Sequence, residues 1–187
     1  MDTDEPRQLV EAVLSMGLHY VVITAVDRDD LDDGGADGFV QAISGLKTGV
    51  EPVPKIEVLT PDFRGDMGAV DRIIDAGPDV YNHNVETVPR LYRSVRRSGR
   101  YRWAMEVLQR VAGRAPGMIR KSGMMVGLGE TVDEVEAVLG DLKEAGCQVV
   151  TIGQYLRPTP NQIEVERYWT PDEFESLEDM GRDLGLD

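Results

Sequence analysis

Asn82-His83-Asn84-Val85-Glu86 places two amides, an imidazole and a carboxylate within five residues. The run follows Asp79-Val80-Tyr81, which reads as the start of a buried strand, so polar groups arrive where apolar residues should continue. A strand presents alternate residues on one face. If this one continues, Asn82, Asn84 and Glu86 share a side and His83 lies opposite. A neighbouring amide and carboxylate offer two-point hydrogen bonding to vicinal hydroxyls such as those of a ribose. The same residues also suit a helix start, with Asn or His as the cap and Glu86 in the first turn.

Other stretches carry weaker signals. Gly127-Leu128-Gly129-Glu130-Thr131 joins an apolar strand to a helix. Glycines there let the backbone approach a ligand, or simply make a tight turn. The run lacks the third glycine of the dinucleotide fingerprint. Arg90, Arg93, Arg96, Arg97, Arg100 and Arg102 form a basic cluster. It is either a solvated face paired with nearby acids or a docking patch for an acidic partner or ligand carboxylate. His83 has no neighbouring Cys or second His, so a His-ligated zinc site is not expected. No P-loop and no Ser-His-Asp set in a nucleophile-elbow context is present. His19 precedes an apolar strand and reads as structural. Cys147 is the one cysteine, which excludes an internal disulfide and cannot alone make a metal site. At the start of an apolar run, it reads as a buried thiol.

The elements that must position these groups alternate regularly. Strands are expected at Tyr20 to Val26, Lys55 to Leu59, from Asp79, within Ile119 to Val126, and at Val149 to Gly153. Helices are expected at Glu5 to Met16, around Phe39 to Leu46, and at Met67 to Ala76. Three more are expected at Tyr101 to Val111, Val132 to Ala145, and Pro171 to Leu184 with Thr170 as N-cap. Strand–helix units of about 30 residues demand a parallel sheet covered by helices. Both an open doubly wound sheet and a full or partial barrel fit, and in both the chemistry gathers at the carboxyl ends of the strands. Each of the five strands runs into a polar or glycine-rich segment. The first gives Asp27-Arg28-Asp29-Asp30, then Asp33-Gly34-Gly35, whose aspartates are placed to cap the following helix. The second gives Asp62-Phe63-Arg64 and the fifth Gln154-Tyr155. Five such ends on one rim point to a single large binding site.

A chain of 187 residues suits one domain, expected to cover residues 1–187. Its 34 acidic and 20 basic residues give a net charge of −14, which argues against general affinity for nucleic acid or anionic membrane. No apolar run approaches the length of a membrane span. The acidic start, Met1-Asp2-Thr3-Asp4-Glu5, is unlike a signal peptide, so a cytoplasmic location is expected.

Taken together, these segments resemble the lipoyl synthase family of radical S-adenosylmethionine (SAM) enzymes. The strings that carry the likeness span nearly the whole chain. They are Tyr20-Val21-Val22-Ile23-Thr24-Ala25-Val26-Asp27-Arg28-Asp29-Asp30-Leu31, Thr60-Pro61-Asp62-Phe63-Arg64-Gly65, and Asn82 through Tyr92. Lys121 through Thr131 and Gly153-Gln154-Tyr155-Leu156-Arg157-Pro158-Thr159 complete the set. The resemblance implies an α/β fold, a partial parallel (β/α)6 barrel, here without its first strand. It implies SAM bound to a [4Fe–4S] cluster and cleaved to a 5′-deoxyadenosyl radical. A second [4Fe–4S] cluster then supplies sulfur to C6 and C8 of an octanoyl chain on a lysine of a lipoyl carrier domain. By the same resemblance, Asn84 and Glu86 fall at the ribose, Gly127 to Gly129 near the adenine, and the loop from Asp27 to Gly35 near the methionine end. Thr24, Lys121 and Gln154 complete the expected cofactor set, and Arg90, Arg93, Arg96 and Arg97 are the expected carrier-docking residues.

This sequence departs from the family pattern. The radical-cluster motif CxxxCxxC belongs just upstream of the first strand, where this chain begins. The auxiliary-cluster cysteines and the Arg-Ser-Ser-Tyr segment are also missing, and Cys147 matches none of these ligands. The histidine expected after Pro158-Thr159 is replaced by Pro160-Asn161-Gln162. A truncated fragment is therefore expected, which alone binds no iron, makes no product, and folds poorly or self-associates through the exposed edge of the first strand. The alternative is a non-catalytic module that binds SAM or the lipoyl carrier.

Overall fold

Runs rich in β-branched residues pair into one parallel sheet because each is followed by a helix that returns the chain to the same end. The computed structural model describes residues 4–187. Its helices are α1 (Glu5–Met16), α2 (Ala36–Gly49), α3 (Met67–Ala76), α4 (Tyr92–Val95), α5 (Tyr101–Arg114), α6 (Val132–Glu144) and α7 (Pro171–Asp183). The strands are β1 (Tyr20–Thr24), β2 (Lys55–Leu59), β3 (Val80–Asn82), β4 (Ile119–Val126) and β5 (Val149–Gln154). They lie in the order β1-β2-β3-β4-β5, all parallel.

Sequential order decides between the two architectures left open by the sequence. A doubly wound sheet reverses its order at a switch point. This one never reverses, so same-handed crossovers stack the helices on one face, as in a barrel. The packing agrees. Val21, Ile56, Val58 and Tyr81 meet residues of α1, α2, α3 and α5 in one apolar cluster. Met124 and Val126, with Val150 and Ile152 beside them, meet α5, α6 and α7 in a second. Ile43, Leu46, Ile56, Ile73, Leu108 and Leu142 are wholly buried, and each contributes about 1.5–3 kcal/mol of transfer free energy.

The alternate residues face the other side of the sheet, and here the pattern is mixed. Tyr20 and Val22 are about half exposed, whereas Glu57 is 2% exposed. The Glu57 carboxylate accepts from Tyr20 Oη at 2.5 Å, Asn82 Nδ2 at 3.0 Å and Lys121 Nζ at 3.0 Å. Burial pushes its pKa up, but the hydrogen bonds from Tyr20, Asn82 and Lys121 outweigh that and leave it below the ordinary range.

Local signals hold at the helix ends. Thr170 and Glu173 form a reciprocal capping box on α7, and Asp33 accepts from Gly35 N and Asp37 N at the start of α2. The first strand ends at Thr24, two residues short of the expected Val26, because Ala25 and Val26 already turn into the rim loop. The four-residue α4 was not expected; it lies within the arginine-rich stretch.

Strand β1 has β2 on one side and no strand on the other among the described residues. An unpaired edge of apolar residues invites pairing with a second copy. Sedimentation velocity on the purified chain is expected to show concentration-dependent association that Val22→Lys reduces. Equal association in both proteins would place the contact elsewhere.

Candidate functional site

Strand β3 ends at Asn82, and the chain then crosses onto the end of β4. Glu86 N donates to Gly123 O at 3.0 Å, and Met125 N donates to Glu86 O at 2.8 Å. This isolated parallel bridge between Glu86 and Met124 holds Glu86 at φ 68°. A left-handed backbone is uncommon outside glycine, and Phe63 and Arg64 are the other two non-glycine residues so placed among those described. All three belong to the carboxyl rim of the sheet, where local strain is a signature of a working surface.

The close approach depends on Gly123. A Cβ there would lie 2.8 Å from Thr151 Oγ1 and 2.9 Å from Asn84 Oδ1. The Asn84 amide therefore lies over the bare backbone of β4, next to Thr151. Neither Gly123 nor Thr151 was expected in the site. The signal for Gly123 was present, since a glycine inside a strand often marks a close approach by another group.

Around this bridge lies a cavity of about 390 Å³ lined by Thr24, Asp27, Thr60, His83, Asn84, Glu86, Arg96 and Met125, among others. A second hollow of about 110 Å³ adjoins it, with Asp27, Pro61 and Arg96 lining both. Arg96 is the divider. Its guanidinium reaches Asp62 Oδ2 at 3.5 Å and Asn84 O at 3.3 Å, with 19% of the side chain exposed. Burial pushes the Glu86 carboxyl up, although Arg96 and the Asn84 amide oppose this.

His83 does not point away from this site. Its Nδ1 lies 2.8 Å from Thr60 O, a carbonyl that can only accept, so Nδ1 carries the proton and Nε2 is a bare acceptor. Nε2 has no partner among the described residues. Burial first, then Arg96, lowers the ring pKa to about 4, so the imidazole is neutral at physiological pH. The helix-cap reading of the run fails, because α4 and the 3-10 turn Pro89–Leu91 start without any side-chain cap.

Of the expected cofactor residues, Thr24, Asp27, Asn84 and Glu86 converge on the cavity. The remaining four do not line it. Lys121 sits lower on the same face, in its ion pair with Glu57. Gln154 is in phase with Val150 and Ile152, on the helix side of β5. There it donates to Arg167 O and Tyr155 O and accepts from Trp169 N at 2.9 Å. Gly127 N and Leu128 N are taken by the buried Glu130 carboxylate, which also accepts from Trp169 Nε1 at 3.0 Å. Gly127, at φ 106°, has no room for a side chain, since a Cβ would lie 2.7 Å from Arg167 O. The glycine loop with Gly127 and Gly129 is therefore tied down by its own Glu130 carboxylate, outside the cavity lining. Alternation with Val150 and Ile152 already placed Gln154 on the far face.

The expected docking arginines divide. Arg90 binds Glu134 at 2.7 Å and Gly129 O at 2.8 Å, and Arg96 turns into the cleft. Arg93 and Arg97 are exposed. Cys147 is buried, its thiol pushed up to about 11 by that burial. No cluster of His, Cys, Asp and Glu suited to a metal ion occurs among the described residues. None of their helices is long and apolar enough to cross a membrane.

A one-way wound parallel sheet with a polar, strained carboxyl rim is the frame of a barrel-type fold. The sequence model of the Radical SAM superfamily matches residues 1–142, and this chain belongs to that superfamily. Solved structures show the same fold. The [FeFe]-hydrogenase maturase HydG aligns with a TM-score of 0.75 at 17% identity, over 99% of this chain and 43% of its own. Methylornithine synthase (PylB) aligns with a TM-score of 0.75 at 14% identity, over 100% and 54%. Within the superfamily, the chain is similar to lipoyl synthases. It is 51% identical to that of Xanthomonas axonopodis pv. citri over 99% of this chain and 56% of the relative. It is also 51% identical to that of Xylella fastidiosa, over 99% and 50%. The chain thus spans about half the length of the curated relatives it matches.

The site yields a pH prediction. A histidine with ordinary pKa 6.5 unfolded and about 4 folded binds more protons when unfolded across that window. Its contribution is full above pH 6.5 and is lost as the pH falls toward 4, by roughly 3 kcal/mol at most. Urea unfolding at pH 5 and pH 7 is expected to show a smaller pH difference in His83→Gln than in the unaltered chain; equal differences would contradict the buried neutral ring. Gly123→Ala is expected to cost stability by about 1–3 kcal/mol through the forced displacement of Asn84 and Thr151, measured in the same denaturation series.

Proposed function

We propose that this chain is the cofactor-holding part of a lipoyl synthase. In this reading, the whole enzyme inserts sulfur at C6 and C8 of an octanoyl chain borne on a lysine of a lipoyl carrier domain, in the cytoplasm. The observation that carries the reading is the convergence of Asn84 and Glu86 above Gly123, at the positions where the family resemblance expects the ribose of SAM. About half of all positions are identical to lipoyl synthases along the full chain, which supports the same substrate class.

The residues fit SAM. Asn84 and Glu86 are placed to take the ribose hydroxyls, and Gly123 leaves the space that the Asn84 amide fills. Thr24 and Asp27, on the opposite wall, suit the methionine end. His83 offers a neutral acceptor beside them. Lys121 supports the floor through Glu57, while Gly127, Gly129 and Gln154 lie outside the cavity lining. When bound, SAM supplies the group that abstracts hydrogen; the chain's own part is to bind it, orient it and screen it from water.

The residues do not fit an iron–sulfur cluster. Clusters are held by several thiolates, and Cys147 is a single buried thiol. The thiolate ligands of the two [4Fe–4S] clusters expected for the whole enzyme are not among residues 1–187, which hold the one cysteine Cys147. The same observation favours a second reading for this chain alone: a SAM- or carrier-binding module without catalysis.

Titration calorimetry of the chain with SAM tests the reading. Asn84→Ala and Glu86→Gln are each expected to weaken binding by about tenfold or more, and Arg157→Ala, remote from the cavity, to leave it unchanged. Equal affinities in all four proteins would overturn the ribose assignment.

A further inference from the structure

We infer that Arg64, Arg93, Arg97 and Arg100 form a docking surface for an acidic protein at the mouth of the cleft. Elsewhere on the molecule, surface arginines are matched by the chain's own carboxylates. Arg72 pairs with Asp37, Arg110 and Arg114 with Asp71, and Arg182 with Glu178. These four arginines are exposed and form no ion pair among the described residues. The exception is notable in a chain with 34 acidic against 20 basic residues, where carboxylates for pairing are plentiful.

Arg64 and Arg100 meet across Trp103, and Arg93 and Arg97 belong to the segment that leads into Arg100. Arg64 lines the smaller hollow together with Arg96, Ser98 and Gly99. The next residue, Gly65, lies under Trp103, since a Cβ there would come within 2.8 Å of the indole Nε1. The Arg100 guanidinium lies 5.6 Å from the same ring. Arg93 and Arg97 flank Arg96, which turns inward to Asp62 and Asn84 O. One loop therefore shows a single guanidinium to the cleft and the others to solvent. Arg64 is held outward at φ 54° by the Asp62 carboxylate, which accepts from its backbone N at 2.9 Å.

Clustered like charges repel, and the cost is relieved when carboxylates arrive from outside. Arginine forks match carboxylates in two-point geometry, and an arginine stacked on tryptophan gives a flat, rigid contact of the kind found at interface centres. A local acidic patch on a protein gains this attraction without bringing a long polyanion against a chain of net charge −14. The inference rests on the proposed lipoyl synthase reading in one respect only: a protein docked at this mouth would present its lysine-borne acyl chain to the cleft.

The test is fluorescence anisotropy of the 187-residue chain with labelled peptides over a range of salt. One peptide carries Asp and Glu around an N6-octanoyl-lysine, a second carries the same acids around plain lysine, and a third has Asn and Gln in their place. Both acidic peptides are expected to bind, the octanoyl-lysine one more tightly, and the neutral one not. Arg97→Gln with Arg100→Gln is expected to weaken acidic binding by about tenfold and flatten its salt dependence; Arg114→Gln is expected to change neither. Unchanged affinity and salt dependence in the double variant, with its thermal melt intact, overturns the docking surface. So does tighter binding of a single-stranded oligonucleotide of equal charge. Loss of the octanoyl preference alone overturns the acyl-chain reading and leaves the docking surface standing.

Discussion

Everything at the rim depends on one short backbone pairing. Glu86 exchanges hydrogen bonds with Gly123 and Met125 and pulls the segment after β3 across the end of β4. The pairing goes with a left-handed conformation at Glu86, and the Asn84 amide lies over the bare Gly123. Without a glycine at 123, the amide and the Thr151 hydroxyl would be pushed aside. The cavity exists because a strand gives up a side chain at the point where a neighbouring loop needs space.

The two faces of the sheet divide the work. The helix side holds almost all of the large apolar side chains, and with them most of the stabilisation. The other side is left polar, with Glu57 buried beneath Tyr20, Asn82 and Lys121. A carboxylate taken out of water needs its lone pairs filled, and three donors from three neighbouring strands fill them. This network fixes the lateral register of β1 to β4 below the cavity, so the rim residues stand on a rigid floor.

Much of the fold was legible in the sequence. Strands β2 and β4 and helices α1 and α3 fall where their apolar periodicity puts them, because each sits between clear turn residues. The choice between open sheet and barrel was not legible in periodicity, which does not encode strand order; the barrel came from the family resemblance, and the strand order agrees with it. Asn84 and Glu86, singled out by their break with the apolar pattern, line the cavity at the end of β3. His83 would lie opposite Asn84 only if the strand continued; β3 ends at Asn82, strict alternation ends with it, and His83 joins the lining of the cavity. Gln154 was placed at the cofactor although its phase with Val150 and Ile152 turns it to the helix side. Glu57, a charged residue in the middle of an apolar strand, was passed over. Arg90 and Arg96 were grouped with Arg93 and Arg97 by composition, and only the fold distinguishes them. The 51% identity to lipoyl synthases agrees with the resemblance read from the five rim strings, which follow the strand ends rather than any single glycine pair.

The central claim is that the Glu86–Gly123 bridge builds the nucleoside-binding end of the cleft. Amide chemical-shift mapping of the chain titrated with SAM addresses it most directly. The account predicts that the largest shifts fall on Asn84, Glu86, Gly123 and Met125, with Thr24 and Asp27 following and Gln154 nearly still. Shifts concentrated on Gly127 to Gly129 and Gln154, with the Glu86–Gly123 bridge unmoved, would contradict it.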